Sequence, residues 1–178
     1  MPTQSHLICS SALVKVSVVT MRFSWLKLLV LMAMSIFGLW ASTEVLVVYY
    51  TLKQGLPFCP LTRGPGIAID CYAVLSSRYS EVFGIPLELL AVGYFIVNLL
   101  LIYLIAFASD RVAVISLKTL FGWRFIGIVI VPYLVAVELL LVRAICIYCT
   151  VMHISIVADF IIISYLLFYK KIDLTRSV

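Results

Sequence analysis

The sequence predicts an all-α integral membrane protein: a bundle of four transmembrane helices with a long outward loop that carries a short surface helix. Three observations predict it. The 178 residues are 65% hydrophobic and only 12% charged, with a mean hydropathy of +1.21, far more apolar than a water-soluble core of this size requires. The apolar residues gather into four runs, each long enough at about 1.5 Å per residue to cross a hydrocarbon layer of about 30 Å. The basic residues behind the net charge of +5 fall between those runs and form no interleaved basic and aromatic patch. They therefore read as membrane topology signals, and a nucleic-acid partner is excluded.

Residues 1–20 are moderately apolar, are interrupted by Lys15 and lack a small-residue cleavage site. They read as an N-terminal extension ahead of Met21, not as a signal peptide. A single membrane domain is expected over 21–178. Its first span covers about 28–50, the second 86–108, the third 123–142 with Pro132 as a candidate kink, and the fourth 146–168. The loop over 51–85 includes QGLPFCPLTRGPG, whose glycines and prolines forbid a regular helix. The following CYAVLSSRYSEVF alternates apolar and polar residues at helical spacing and suits a short helix lying along the membrane surface.

Four spans put both termini on one side. Lys15, Arg22, Lys27, Arg111, Lys118, Arg124, Lys170, Lys171 and Arg176 then lie on that side, against Lys53, Arg63, Arg78 and Arg143 opposite, nine against four. The excess predicts cytoplasmic termini in a cell membrane. The long loop and the start of the fourth helix then share the extracytoplasmic face, together with Cys59, Cys71, Cys146 and Cys149.

Cys146-Ile-Tyr-Cys149 is a C-x-x-C at the start of a helix, where unpaired backbone N–H groups and the positive end of the helix dipole favour a thiolate nucleophile. The motif by itself is also compatible with zinc or iron–sulfur binding. Cys59 and Cys71 have eleven residues between them, including Gly64, Pro65 and Gly66, which let the chain fold back. Such a pair forms a disulfide easily, either as a fixed staple of an extracellular loop or, with a second dithiol on the same face, as an exchanging pair. Cys9 is the odd cysteine of the five.

The runs CYAVLSSRYSEVFGIPLELLAVGY from Cys71 and ELLLVRAICIYCTVMH from Glu138 resemble the two signature regions of the vitamin K epoxide reductase family. The loop cysteine, the serine after it, the GIP helix start and the late C-x-x-C occur in the family's order, over roughly residues 25–168. The resemblance implies a helical bundle around a quinone and makes Cys59, Cys71, Cys146 and Cys149 catalytic. Cys146 and Cys149 would be the pair oxidised by quinone, with Cys149 contacting the ring. Cys71 would exchange with Cys146, and Cys59 with an outside partner. Ser77, six residues after Cys71, matches a family serine or threonine implied to hydrogen-bond a quinone carbonyl. His153 stands where the vertebrate enzymes carry tyrosine, so the chain looks more like a prokaryotic-type quinone reductase without a fused thioredoxin-like domain. A separate thioredoxin-like protein would then supply the thiols, and ubiquinone, menaquinone or a similar quinone would accept the electrons.

Glu44, Glu88, Glu138 and Asp159 are acids near or within the spans, and quinone reduction consumes protons. Each also suits an interface position or a pairing with Arg78, Arg143 or a backbone group, and none is singled out. His153 suits either donation to a quinone oxygen or a satisfied buried position. The expected activity is that of a quinone-dependent, disulfide-forming membrane oxidoreductase that needs no metal. The rival reading is a membrane protein whose four cysteines hold a structural zinc or two static disulfides. A small transporter is disfavoured by the lack of internal repeats or paired interrupted helices.

Overall fold

The computed structural model describes residues 25–62 and 68–176. Cys9, the extension over 1–20, and Arg63 with Gly64, Pro65 and Gly66 lie outside the described residues. Four long helices form the bundle: α1 (Trp25–Glu44), α3 (Leu87–Phe107), α4 (Asp110–Ala136) and α5 (Ile147–Arg176). Each holds a segment long and apolar enough to cross a membrane: Leu26–Thr51, Leu87–Phe107, Arg111–Val142 and Ile147–Tyr165. α1 packs against α3 and α5, and α4 closes the ring by packing against both of these. Outward faces carry Leu29, Ile36, Leu100, Val129, Ile154 and Ile161, all exposed. Apolar residues on the outside as well as the inside are what a lipid solvent permits.

Beyond the buried Leu28 and Leu31, the inner face of α1 and of the turn that follows it is made mostly of small residues. Ser35, Gly38, Ala41, Ser42 and Val45 are all buried at helical spacing, which lets neighbouring backbones approach closely. Phe95 of α3, itself fully buried, fills the space this creates, and a Cβ at Gly38 would fall inside the Phe95 ring. Gly38→Ala is therefore expected to cost about 1–3 kcal/mol by overpacking, and Phe95→Leu in the same chain should recover part of it. Thermal unfolding in detergent, followed by helical circular dichroism, measures both.

The third helix departs from the sequence reading. It begins at Asp110, not near Trp123, and its span over Arg111–Val142 has 32 residues, about 48 Å at the helical rise. Arg111 and Lys118 sit on its exposed side, so the apolar face continues unbroken behind them. Arg124, counted above among the terminal-side topology charges, is instead fully buried and paired with Asp159 of α5, Nη2 to Oδ2 at 3.2 Å. A charge neutralised inside the bundle reports nothing about sidedness, and removing it leaves eight basic residues against four. Asp159 thus finds its cation in Arg124, not in Arg78 or Arg143.

Both α1 and α4 end in π-helical turns, Val45–Thr51 and Val137–Val142. The loop between α1 and α3 holds β1 (Ala68–Ile69), α2 (Cys71–Leu75), β2 (Glu81–Val82) and β3 (Ile85–Pro86). β2 and β3 form a minimal antiparallel hairpin whose two turn residues, Phe83 and Gly84, both have positive φ, 53° and 77°, as a two-residue primed turn requires. The surface helix is shorter than the pattern suggests, because serine hydroxyls take the local carbonyls: Ser76 Oγ donates to the Tyr72 carbonyl at 2.7 Å and Ser80 Oγ to that of Ser77 at 2.8 Å. Such bonds compete with helix continuation.

Candidate active site

Two residues of loop set the site. β1 pairs in parallel with β4 (Ala144–Ile145), Ala68 opposite Ala144 and Ile69 opposite Ile145. The Asp70 N–H donates to the Ile145 carbonyl at 3.1 Å and the Ala68 N–H to the Arg143 carbonyl at 3.3 Å. Each strand runs directly into a helix, β1 into α2 and β4 into α5, so parallel register places the two helix starts side by side. Cys71 is the first residue of α2, and Cys146 immediately precedes α5. The chain can turn from α4 into β4 because Arg143 adopts a left-handed conformation, φ 57°, where a helix commonly ends.

The two helix starts are capped differently. Asp70 caps α2 through its carboxylate, which accepts the Ala73 N–H at 3.0 Å. At α5 the cap is a sulfur: the Cys149 N–H donates to Cys146 Sγ at 3.4 Å, while the Thr150 hydroxyl donates to the Cys146 carbonyl at 2.9 Å. Thiol and backbone therefore converge where orphan N–H groups are otherwise unsatisfied.

Cys59 and Cys71 are joined by a disulfide with Cα atoms 6.1 Å apart, and Cys146 and Cys149 are free and buried. The bridge is asymmetric. Cys71 is buried within the same packed cluster as Cys146 and Cys149, alongside Val74, Phe95 and Met152, whereas Cys59 is only partly buried at its edge. The four cysteines picked out by spacing thus come together at one end of the bundle.

The other two predicted residues separate. Ser77 lines an open groove of about 1020 Å³ with Cys59, Cys71, Tyr49, Tyr50 and Arg78. His153 is buried and lines a smaller, outward-open crevice of about 550 Å³ between α4 and α5, walled by Val131, Val135 and Leu139 and rimmed by the exposed Ile154 and Ile161. Ile145 and Thr150, which flank the C-x-x-C on either side, border this crevice, as does Glu138.

Glu138 is the residue that sequence reasoning did not single out. It lies in the π-helical turn after α4 and is buried. Its carboxyl lies beside the Cys149 thiol and the Cys146 backbone N–H. The available signal was its place seven residues after Val131, fourteen after Arg124 and twenty-one after Leu117, all of them buried. An acid at the fourth position of a buried heptad stripe is anomalous.

No curated protein matches the chain. Residues 29–164, a stretch that takes in Cys59, Cys71, Cys146 and Cys149, most of the four membrane helices, Ser77 and His153, match the model described as the Vitamin K epoxide reductase family, and the chain accordingly belongs to that family of membrane oxidoreductases.

Proposed function

We propose that the chain makes disulfides in a thioredoxin-like partner protein outside the cytoplasm and passes the electrons to a membrane quinone. The observation that carries this reading is the parallel pairing of β1 with β4. It aligns the starts of α2 and α5 and so puts Cys71, already bridged to a more exposed Cys59, into one packed cluster with Cys146 and Cys149. A static loop staple needs no second dithiol behind it. In the proposed cycle the Cys71 thiolate attacks the Cys146–Cys149 disulfide at Cys146, forming a Cys71–Cys146 bridge and releasing Cys149 as thiolate. Cys59 then attacks Cys71, which restores the Cys59–Cys71 disulfide and frees Cys146. The partner's two thiols reduce the Cys59–Cys71 bridge in turn and leave as a disulfide. The groove beside Cys59, with tyrosines 49, 50 and 72 and charged Lys53, Arg78 and Glu81, suits a docked protein segment of mixed character.

A quinone supplies the two-electron acceptor that re-forms the Cys146–Cys149 disulfide. The chain's own residues fit one: the crevice between α4 and α5 is walled by aliphatic side chains, with Glu138, Thr150 and His153 as its polar members, the mixture expected of a cofactor pocket. His153 would orient the ring by donating to an oxygen, and Cys149 would be the thiol that reacts with it. Ser77 lines the outer groove, and its hydroxyl would reach a quinone approaching from that side. The rival reading, a zinc held by all four cysteines, is weakened by chemistry, since Cys59 and Cys71 in a disulfide have no thiolates to offer a metal.

Cys59→Ala tests the order of exchange. With the resolving thiol gone, the Cys71–Cys146 bridge should accumulate when the protein is treated with quinone, and peptide mapping by mass spectrometry should recover the two cysteines as one cross-linked pair. A product containing only Cys146–Cys149, with Cys71 persistently free, would mean that the two dithiols do not communicate.

A further inference from the structure

We infer that Glu138 is the proton acceptor for the Cys149 thiol, a role that rests on the redox reading of the C-x-x-C. Three observations converge on it. The buried stripe of α4 repeats at seven-residue intervals through Leu117, Arg124 and Val131 and ends on Glu138, so the fold holds this carboxyl inside the bundle. It borders one crevice with Ile145 and Thr150, which flank the C-x-x-C, and lies beside the Cys149 thiol and the Cys146 backbone N–H. Among the described residues the buried Arg124 is engaged with Asp159, and the adjacent Arg143 is exposed, so no cation neutralises Glu138. An ionisable group inside a membrane bundle with no counter-ion is a functional position by default, and π-helical turns such as the one that carries it recur at functional sites.

The step is a proton transfer within the protein. The Cys149 S–H bond breaks, a Glu138 O–H bond forms, and the pair passes from thiol and carboxylate to thiolate and carboxylic acid with no change in total charge. A charge-neutral exchange lowers the cost of making a thiolate in a buried site, because an isolated buried anion is strongly disfavoured. Other groups face this pair. Glu88 from α3 lies within electrostatic range of Cys149, is buried, and has one carboxyl oxygen, Oε2, without a partner; Tyr50 from the π-helical turn of α1 lies against it. His153 and Cys146 approach from α5. Cys146 also reaches the Cys149 thiol; Glu138 is distinguished as the carboxyl that lies against it.

A glutamine at position 138 can still accept the Cys146 N–H but cannot take a proton, which separates a catalytic role from a structural one. The test is run in a parent chain carrying Cys146→Ser, which removes the second thiol coupled to Cys149: the alkylation rate of Cys149 is followed across pH in the reduced full-length protein in detergent and resolved by site with mass spectrometry. In the parent chain one proton shared between sulfur and carboxyl yields a thiolate fraction independent of pH between the two ionisations of the pair. The rate should therefore show a flat region, changing less than about twofold over two pH units. In Glu138→Gln the thiol titrates alone, and its rate should climb about tenfold per pH unit, about a hundredfold over the same interval. Glu138→Asp, which keeps the carboxyl, should retain a flat region and covers the case in which the glutamine variant fails to fold. Profiles of equal slope in the parent and in Glu138→Gln would overturn the assignment. Because no quinone is present, that result is distinct from a failure of the unsubstituted chain to reduce quinone, which would instead overturn the proposed function.

Discussion

Asp159→Leu is expected to lower the stability of the bundle by about 3–5 kcal/mol, because it strands a guanidinium in the core. Arg124 and Asp159 are both fully buried and meet at 3.2 Å. Arg124 Nη1 also donates to the Asp159 carbonyl at 3.0 Å, and Ser35 Oγ from α1 donates to Asp159 Oδ2 at 2.9 Å. Three helices are thus held by one carboxylate. Removing it leaves the cation with only the backbone contact, in a place where water cannot compensate. The double variant Arg124→Met with Asp159→Leu removes both charges and fills similar volume, so it should recover most of the loss. Detergent-micelle unfolding by heat, compared across the two single variants and the double, measures the coupling. If Asp159→Leu unfolds with the parent chain, the pair contributes nothing to the bundle. If the double variant is no better than the single one, the cost comes from lost packing and not from a stranded charge.

That pair also shows why the third helix is misread from sequence. The four apolar runs were legible because a membrane helix must satisfy its backbone within itself and its side chains against lipid, so length and hydropathy nearly suffice. Arg111, Lys118 and Arg124 break the pattern and read as a loop. Two of them lie on an exposed face, and the third is neutralised by a residue 35 positions later. Long-range pairing of that kind leaves no local trace. The site divides in the same way. The cysteines were legible through their spacing and through the helix start, which depend on neighbours in sequence. The ladder that brings them together was not, since β1 and β4 are two residues each and carry no period to read. Glu138 failed to stand out for a related reason: its burial follows from a stripe on α4, whereas its meaning comes from thiols on α5.

Cys149→Ser should abolish continuous disulfide formation while leaving a single round intact, the other large effect expected here. The Cys59–Cys71 disulfide is already formed, and nothing in its reaction with an outside dithiol requires Cys149. A reduced thioredoxin-like protein mixed with the variant should therefore be oxidised in a burst of one equivalent per chain. The reaction should then stop, because serine cannot join Cys146 in a disulfide and the chain has no oxidised pair left to recharge the loop. Added quinone should not restart it, and its own reduction should fall to the rate of the uncatalysed thiol reaction. Cys59→Ala gives the mirror image, with no burst but an intact Cys146–Cys149 pair that quinone can still oxidise once. The contrast in burst size, read by quenching with an alkylating agent and counting free thiols on the partner, assigns the outer pair to the partner and the inner pair to the quinone. Repeated turnover by Cys149→Ser would show that the loop disulfide is recharged by some other route, and the inner pair would lose its place in the cycle. The geometry argues against such a route: both cysteines border the open groove, but Cys71 is buried in the cluster that contains Cys146, while Cys59 is the more exposed of the two.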